Sequence, residues 1–270
     1  MQVNGKVVVV TGGGDGIGRQ IVTLLLQKGA RVAAVDIRQD ALDETRASVG
    51  GHAERLSTHV ADITDRERVF ALPAEVEAAH GPVDAIVNNA GVIQPFVRVH
   101  ELEMETIDRV LAVNLVGPVN VTKAFLPGLM ARPEAHILNV SSMGGFLPVP
   151  GQAIYGTAKA GVKLFTEALH SELAGTNVGV TVVFPGGVGT RISENSGVEV
   201  PGNLSEAEAE KMAARTTSPE EAARIIVCGI EEGAQRVLVG SDAKLMDRLS
   251  RLNPKFAAGF ITKQMKDLLG

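Results

Sequence analysis

The sequence predicts a doubly wound α/β fold, a seven-stranded parallel sheet flanked by helices on both faces. Three observations carry that prediction. Short Val-rich runs alternate with longer segments of helical period, the pattern of consecutive βαβ units. Apolar residues make up 45% and charged residues 21% of the 270, a globular balance that excludes wholesale disorder, a collagen-like repeat and a coiled coil. No low-complexity linker or fixed-period repeat divides the chain, so residues 1–270 read as one domain.

In chain order, the first valine run predicts a strand at 6–10, and the apolar helical pattern after a glycine cluster predicts a helix at 16–28. Strand 31–36 leads to helix 39–48. Strand 54–60 leads to helix 65–79, whose start carries Thr64 and Glu67 in an S/T-x-x-E capping box. Strand 83–88 precedes a long helix at 103–130, and strand 136–140 precedes a helix at 153–174. After strand 178–184 comes the longest irregular region, 185–217, which ends in a Glu/Ala/Lys-rich helical patch around 205–215. A connection so long inside a compact domain is usually functional, and it is expected to form a substrate loop. Ser218 caps a helix over 219–232 with Pro219 at its first position, before the last strand at 236–239. The tail, 254–270, carries Phe256, Phe260, Ile261, Met265 and Leu268 at helical spacing and is expected to pack on its own or a neighbouring subunit.

Composition narrows the function classes. Eight Phe, one Tyr and no Trp leave aliphatic residues and Ala to fill the interior, and make Tyr155 the only tyrosine. The net charge of -5, with Lys and Arg scattered, argues against nucleic acid as a partner. A single cysteine, Cys228, forms no intramolecular disulfide; it is expected to be a buried inert thiol, and a reducing, cytoplasmic setting fits. The first residues lack the features of a signal peptide. The longest uncharged stretch, 135–158, is interrupted by Asn139, Ser141, Ser142, Pro148, Pro150 and Gln152, so no membrane partner is expected. The six histidines show no metal-ligand spacing, and no metal site is expected.

Strand one runs into Thr11-Gly12-Gly13-Gly14-Asp15-Gly16-Ile17-Gly18, with a helix directly after. Such glycines let the backbone approach a pyrophosphate, whose charge the helix N-terminus stabilises, in the manner of the Rossmann dinucleotide-binding unit. Asp36 ends strand two, where a carboxylate accepts hydrogen bonds from adenosine ribose hydroxyls. A 2′-phosphate there would meet a like charge, so NAD is expected over NADP; Arg38, two positions on, is the opposing signal. Gly18 is followed by Arg19-Gln20 instead of the Lys-Ser/Thr of a P-loop, so ATP hydrolysis fits poorly.

Tyr155 and Lys159 are four residues apart, hence on one face of a helix. An unperturbed phenol, pKa ~10, is a feeble base at neutral pH. An ammonium at ~4 Å in an effective dielectric of ~20 favours phenolate by at most ~4 kcal/mol, or ~3 pKa units. Ser142 lies at the end of strand five, where open α/β sheets put ligand-binding groups, and Ser141 beside it would point elsewhere on an extended chain.

With the glycine loop, these residues make the chain resemble the short-chain dehydrogenase/reductase family, in its compact single-domain branch, over nearly its whole length. The matching residues are Thr11-Gly12-x-x-x-Gly16-x-Gly18, Asp62, Asn88-Asn89-Ala90-Gly91, Asn114, Ser142, Tyr155, Lys159 and Pro185-Gly186-x-Val188-x-Thr190. The resemblance implies that Asp62 contacts the adenine, that Asn88 to Gly91 shape the cofactor trough, and that Ile37 lines the adenine pocket. Ile17 and Ile63 join the implied cofactor-binding set. It implies that Asn114 holds a helix distortion and a water of a proton relay. Ser142 would bind the reacting oxygen, Tyr155 exchange its proton, and Lys159 hold the nicotinamide ribose and depress the tyrosine pKa. Pro185, Gly186, Val188 and Thr190 would border the carboxamide. The family's tetramers would pair the helices near 103–130 and 153–174, so a homotetramer or homodimer is expected.

The expectation is therefore an NAD-dependent oxidoreductase moving hydride between a nicotinamide and a secondary alcohol or ketone with an apolar portion, Tyr155 acting as general acid/base. A 3-oxoacyl-thioester reductase using NADPH and a non-catalytic dinucleotide-binding sensor are the alternatives. Phe96, Met143, Phe146, Leu147 and Val149 are expected to give the substrate pocket an apolar wall.

Overall fold

A computed structural model of the chain describes residues 1–198 and 216–265. At its centre seven parallel strands lie in the order β3-β2-β1-β4-β5-β6-β7. They are β1 (Val7–Thr11), β2 (Arg31–Asp36), β3 (Leu56–Val60), β4 (Ala85–Asn88), β5 (Ala135–Val140), β6 (Val178–Pro185) and β7 (Arg236–Val239). The valine run of β1 explains the layering. Its side chains alternate between faces, so Val8 and Val10 join one core cluster while Val7 and Val9 join the other.

The helices are α1 (Gly16–Gln27), α2 (Gln39–Ser48), α3 (Arg66–His80), α4 (Met104–Leu111), α5 (Gly117–Met130), α6 (Ala153–Glu172), α7 (Ile192–Ser196), α8 (Pro219–Glu232), α9 (Ser241–Leu252) and α10 (Pro254–Gln264). Ile21 and Leu25 of α1 and Ile226 and Ile230 of α8 cover the Val8 face. Leu72 of α3, Phe125 of α5 and Leu169 of α6 cover the Val9 face. Strand order reverses direction between β1 and β4, and that switch point opens a crevice at the carboxyl ends of the strands.

Three expectations change. Residues 103–130 are not one helix, because a π-turn at Ala112–Val116 separates α4 from α5. Asn114 accounts for it: the Nδ2 donates both to Val110 O (2.9 Å) and to Val92 O (2.8 Å), tying the widened turn to the segment after β4. The cap of α3 is Asp65, whose carboxylate accepts from Arg68 N, whereas the Thr64 hydroxyl donates to Asp62. Helix α9 was not expected at all; it follows Gly240, has no side-chain cap, and is rich in charge. The cap at Ser218 is as expected. The helical patch at 205–215 and the end of the tail, 266–270 with Leu268, lie outside the described residues.

Helices α9 and α10 pack Met246, Ala257 and Ile261 around Leu147, with Met143 and Phe146 against the cluster. Phe146 also meets Phe184 edge-on at 5.4 Å. The apolar residues at 143–147 thus build a satellite core beside β5 and do not form a pocket wall. The run Met104–Met130, mean hydropathy 1.3, is long and apolar enough to cross a bilayer, but it is broken by the π-turn, and Val121, Phe125 and Leu129 pack its α5 half onto the sheet.

Candidate active site

The crevice is a cleft of about 650 Å³ running from Asp36 to Tyr155. At one end the glycine loop turns directly from β1 into α1. Gly12 has φ 64°, and a Cβ there would sit 2.9 Å from both Ala90 Cα and Asn89 Nδ2; a Cβ on Gly18 would strike the Gly12 carbonyl oxygen. The backbone fits this space only without side chains. Thr11 Oγ1 accepts from Asn89 N (3.1 Å) and Ala90 N (3.2 Å), and Asn89 Nδ2 donates to Thr11 O (3.1 Å), so the loop is locked to the end of β4.

Asp36 accepts from Gly14 N (3.0 Å) and Arg38 N (3.1 Å), which fixes its carboxylate at the rim. Ile37 beside it is 61% exposed, an apolar side chain lying open with Asp62 and Ile63 along the same wall. Asp62 Oδ1 accepts from Thr64 N and Thr64 Oγ1, both at 2.8 Å. Asp15, which the sequence reading passed over, caps α1 through Gly16 N and also takes Arg191 Nη2 (2.9 Å) and Asn195 Nδ2 (2.7 Å). Burial raises the Asp15 pKa, but those donors outweigh it and hold the carboxyl down to about 2. Arg38 stands 3.7 Å from the same carboxylate, so its charge is already answered within the chain. An aspartate directly before an apolar helix was the available signal for Asp15 as its cap.

At the other end, Ser142 closes β5 in an extended conformation (φ -164°) and accepts from Gly144 N at 3.1 Å. Ser141 points away, its hydroxyl donating to Lys159 O at 2.7 Å, as the alternation of a strand requires. Tyr155 and Lys159 both face the cleft from α6, with the Lys159 Nζ 5.8 Å from the centroid of the Tyr155 ring. The phenol hydrogen-bonds with Ser142, which lowers its pKa; burial is the larger cause and raises it above the ordinary value of 10. Lys159 is 4% exposed, donates to Val140 O at 3.0 Å, and is pushed down to about 8 by burial. The net shift of the phenol is thus upward, where a depressed value was expected. Desolvation disfavours both ions, and Ser142 is the group that pulls Tyr155 back toward ionisation.

The structure brings the expected residues together in two layers. Gly12, Gly16, Ile17, Asp36, Ile37, Asp62, Ile63, Asn89, Ala90, Gly91, Ser142, Tyr155, Lys159, Pro185, Gly186, Val188 and Thr190 line the cleft. Thr11, Gly18 and Asn114 lie behind it; Asn114 is 0% exposed, is bonded to Val92, and its Oδ1 lies 2.8 Å from where a Cβ on the cleft residue Gly91 would sit. Val92, Ile93, Ile192 and Asn195 also line the cleft, whereas Phe96, Met143, Phe146, Leu147 and Val149 do not. Cys228 is half-exposed, not buried, and its thiol donates to Glu232 (3.2 Å), which with burial pushes its pKa up. Among the described residues no cluster of His, Cys, Asp or Glu forms a metal site.

A nicotinamide dinucleotide fits these features: a glycine cradle that a Cβ would fill, a fixed carboxylate at the β2 end, and a long cleft between that carboxylate and the Tyr155–Lys159 pair. Known proteins agree in kind. The family model of the short chain dehydrogenases matches residues 6–200. A protein of Mycobacterium tuberculosis (strain ATCC 25618 / H37Rv) named SadH is 40% identical over 252 residues, 92% of this chain and 91% of that one. The 3-oxoacyl-(acyl-carrier-protein) reductase FabG of Thermotoga maritima is 35% identical over 84% of this chain and 91% of its own. A short chain dehydrogenase/reductase from Burkholderia phymatum, solved in complex with NAD, superposes with a TM-score of 0.83 at 25% identity, covering 95% of this chain and 96% of that one. One from Burkholderia cenocepacia, solved in complex with NADP, superposes with a TM-score of 0.80 at 25% identity, covering 97% and 99%.

Proposed function

The chain belongs to the short-chain dehydrogenase family, and from that premise we propose that it is an NAD-dependent oxidoreductase of secondary alcohols and their ketones. The observation that carries the reading is the Tyr155–Lys159 pair, Lys159 Nζ 5.8 Å from the centroid of the Tyr155 ring, in the same cleft as Ser142 and the Asp36 carboxylate. When bound, the dinucleotide would supply the acceptor or donor of hydride. Tyr155 takes the proton of the substrate hydroxyl during oxidation and returns it during reduction. Ser142 donates a hydrogen bond to the reacting oxygen and steadies the charge that develops on it. Lys159, near its neutral point at physiological pH, binds the nicotinamide ribose and carries the proton away from the phenol.

Asp36 favours NAD, and Asp15 reinforces the choice, since Arg38 is held toward its carboxylate and is a poor partner for a 2′-phosphate. Val92, Ile93 and Ile192 favour a substrate with an apolar portion. We assign the chain to the cytoplasm and to a homotetramer or homodimer that pairs the outer faces of α4 to α6. Similarity to FabG supports a second reading, a 3-oxoacyl-thioester reductase; such an enzyme using NADPH would place a 2′-phosphate against Asp36. A panel of secondary alcohols and ketones assayed with NAD(H) and NADP(H), read by nicotinamide absorbance, separates them. Turnover with NAD well above that with NADP is expected; preference for NADPH and 3-oxoacyl thioesters favours the second reading.

A further inference from the structure

Helix α6 carries Tyr155 at its third residue, yet nothing local caps its start. Gln152, the preceding residue, makes no capping hydrogen bond with its side chain. The first turn of an α-helix leaves four N–H groups without an intrahelical partner, and buried ones need an acceptor from elsewhere. Here the N–H groups of Ile154 and Tyr155 both donate to one atom, Gln94 Oε1, each at 2.9 Å. Gln94 lies in the segment after β4 and is 0% exposed. Its Nε2 donates to Gly151 O (2.9 Å), and its carbonyl accepts from Gln152 Nε2 (2.8 Å). Two residues from the site, a fully buried amide thus holds the backbone of the tyrosine itself.

The neighbours of Gln94 repeat the pattern. Val92 exchanges hydrogen bonds with Asn114 in the π-turn, and Ile93 N donates to Ser196 Oγ (3.0 Å) on α7. Three consecutive residues each fasten a different wall of the cleft.

We propose that Gln94 is a positioning residue, which caps α6 from outside the helix and so sets the reach of the Tyr155 phenol to Ser142. The inference rests on the function proposed above. Because that Ser142 bond is the contact lowering the phenol's pKa, a displaced α6 start in a still-buried site moves the tyrosine's titration upward.

The test compares wild type with Gln94→Met, nearly isosteric but unable to accept, on the best substrate of the panel. Expected are a kcat lower by roughly 10- to 100-fold, a share of the total effect of general acid–base catalysis, and a pH profile of kcat displaced to higher pH. KM and NAD affinity should stay within about twofold, since the groups that bind remain. A kcat and profile like the wild type's overturn the proposal. So does a lower melting temperature with an unmoved profile, which is a structural role only. If Gln94→Met does not fold, Gln152→Met removes the reciprocal bond to the Gln94 carbonyl; the same upward displacement, smaller, is expected, and an unmoved profile overturns. If the wild type turns over nothing on the panel, or Tyr155→Phe stays fully active, the functional reading has failed. If the wild type is active and Tyr155→Phe is not, the Gln94 result bears on positioning alone.

Discussion

Lys159 is held where burial opposes its charge, and that cost is measurable. Its folded pKa of about 8 lies below its ordinary 10.5, so between those values the unfolded chain binds the proton that the folded chain has lost. Stability therefore rises with pH across that window, and the penalty is fully present below about 8. Replacing the ammonium by Lys159→Met should stabilise the protein at pH 7 by about 1–3 kcal/mol, allowing for the lost bond to Val140 O. The advantage should shrink between pH 8 and 10.5 in urea titrations, while turnover is lost. A variant less stable at pH 7, or a pH-independent difference, contradicts the burial account. The sequence made Tyr155 and Lys159 legible as a pair because four-residue spacing fixes a common face. Which ion wins was not legible, because desolvation depends on neighbours such as Val140 and Ser142 that come from another element.

At the scale of elements, α7 is pinned to the glycine loop through Asp15 and to the segment after β4 through Ser196. Asn195→Ala removes one arm of that latch and should shorten the residence time of bound dinucleotide in stopped-flow displacement, with little effect on melting. Asp15→Ala should do the same and also cost about 1 kcal/mol through the lost cap of α1. Unchanged dissociation in both variants contradicts the latch. Strands and the α1, α2, α6 and α8 starts were readable, since valine runs, glycine clusters and caps are local signals. The break in 103–130 was not, because its cause is Asn114 reaching a segment 22 residues away. Helix α9 was missed although Leu245, Leu249 and Leu252 recur at helical spacing, because no capping residue marks its start and its partners Leu147 and Met143 lie in a distant loop.

For the whole molecule, the sheet order places the ends of β1, β2, β4 and β5 around one crevice, so residues as far apart as Gly12 and Lys159 share it. Outside that crevice, Met104 (62%), Val116 (37%) and Leu164 (66%) leave apolar side chains exposed on α4, the π-turn and α6. If these faces pair between copies, sedimentation should give a dimer or tetramer, and Leu164→Glu should shift it toward monomer; a monomeric wild type contradicts the pairing. The central claim is that a single phenol transfers the proton in this crevice. Tyr155 is the only tyrosine, so Tyr155→Phe removes that one hydroxyl and leaves the cradle intact. The most direct measurement is its turnover with NAD and a substrate of the wild type, beside its NAD affinity. The account predicts unchanged binding and a rate lower by roughly 10²- to 10⁴-fold; a variant as active as the wild type would contradict it.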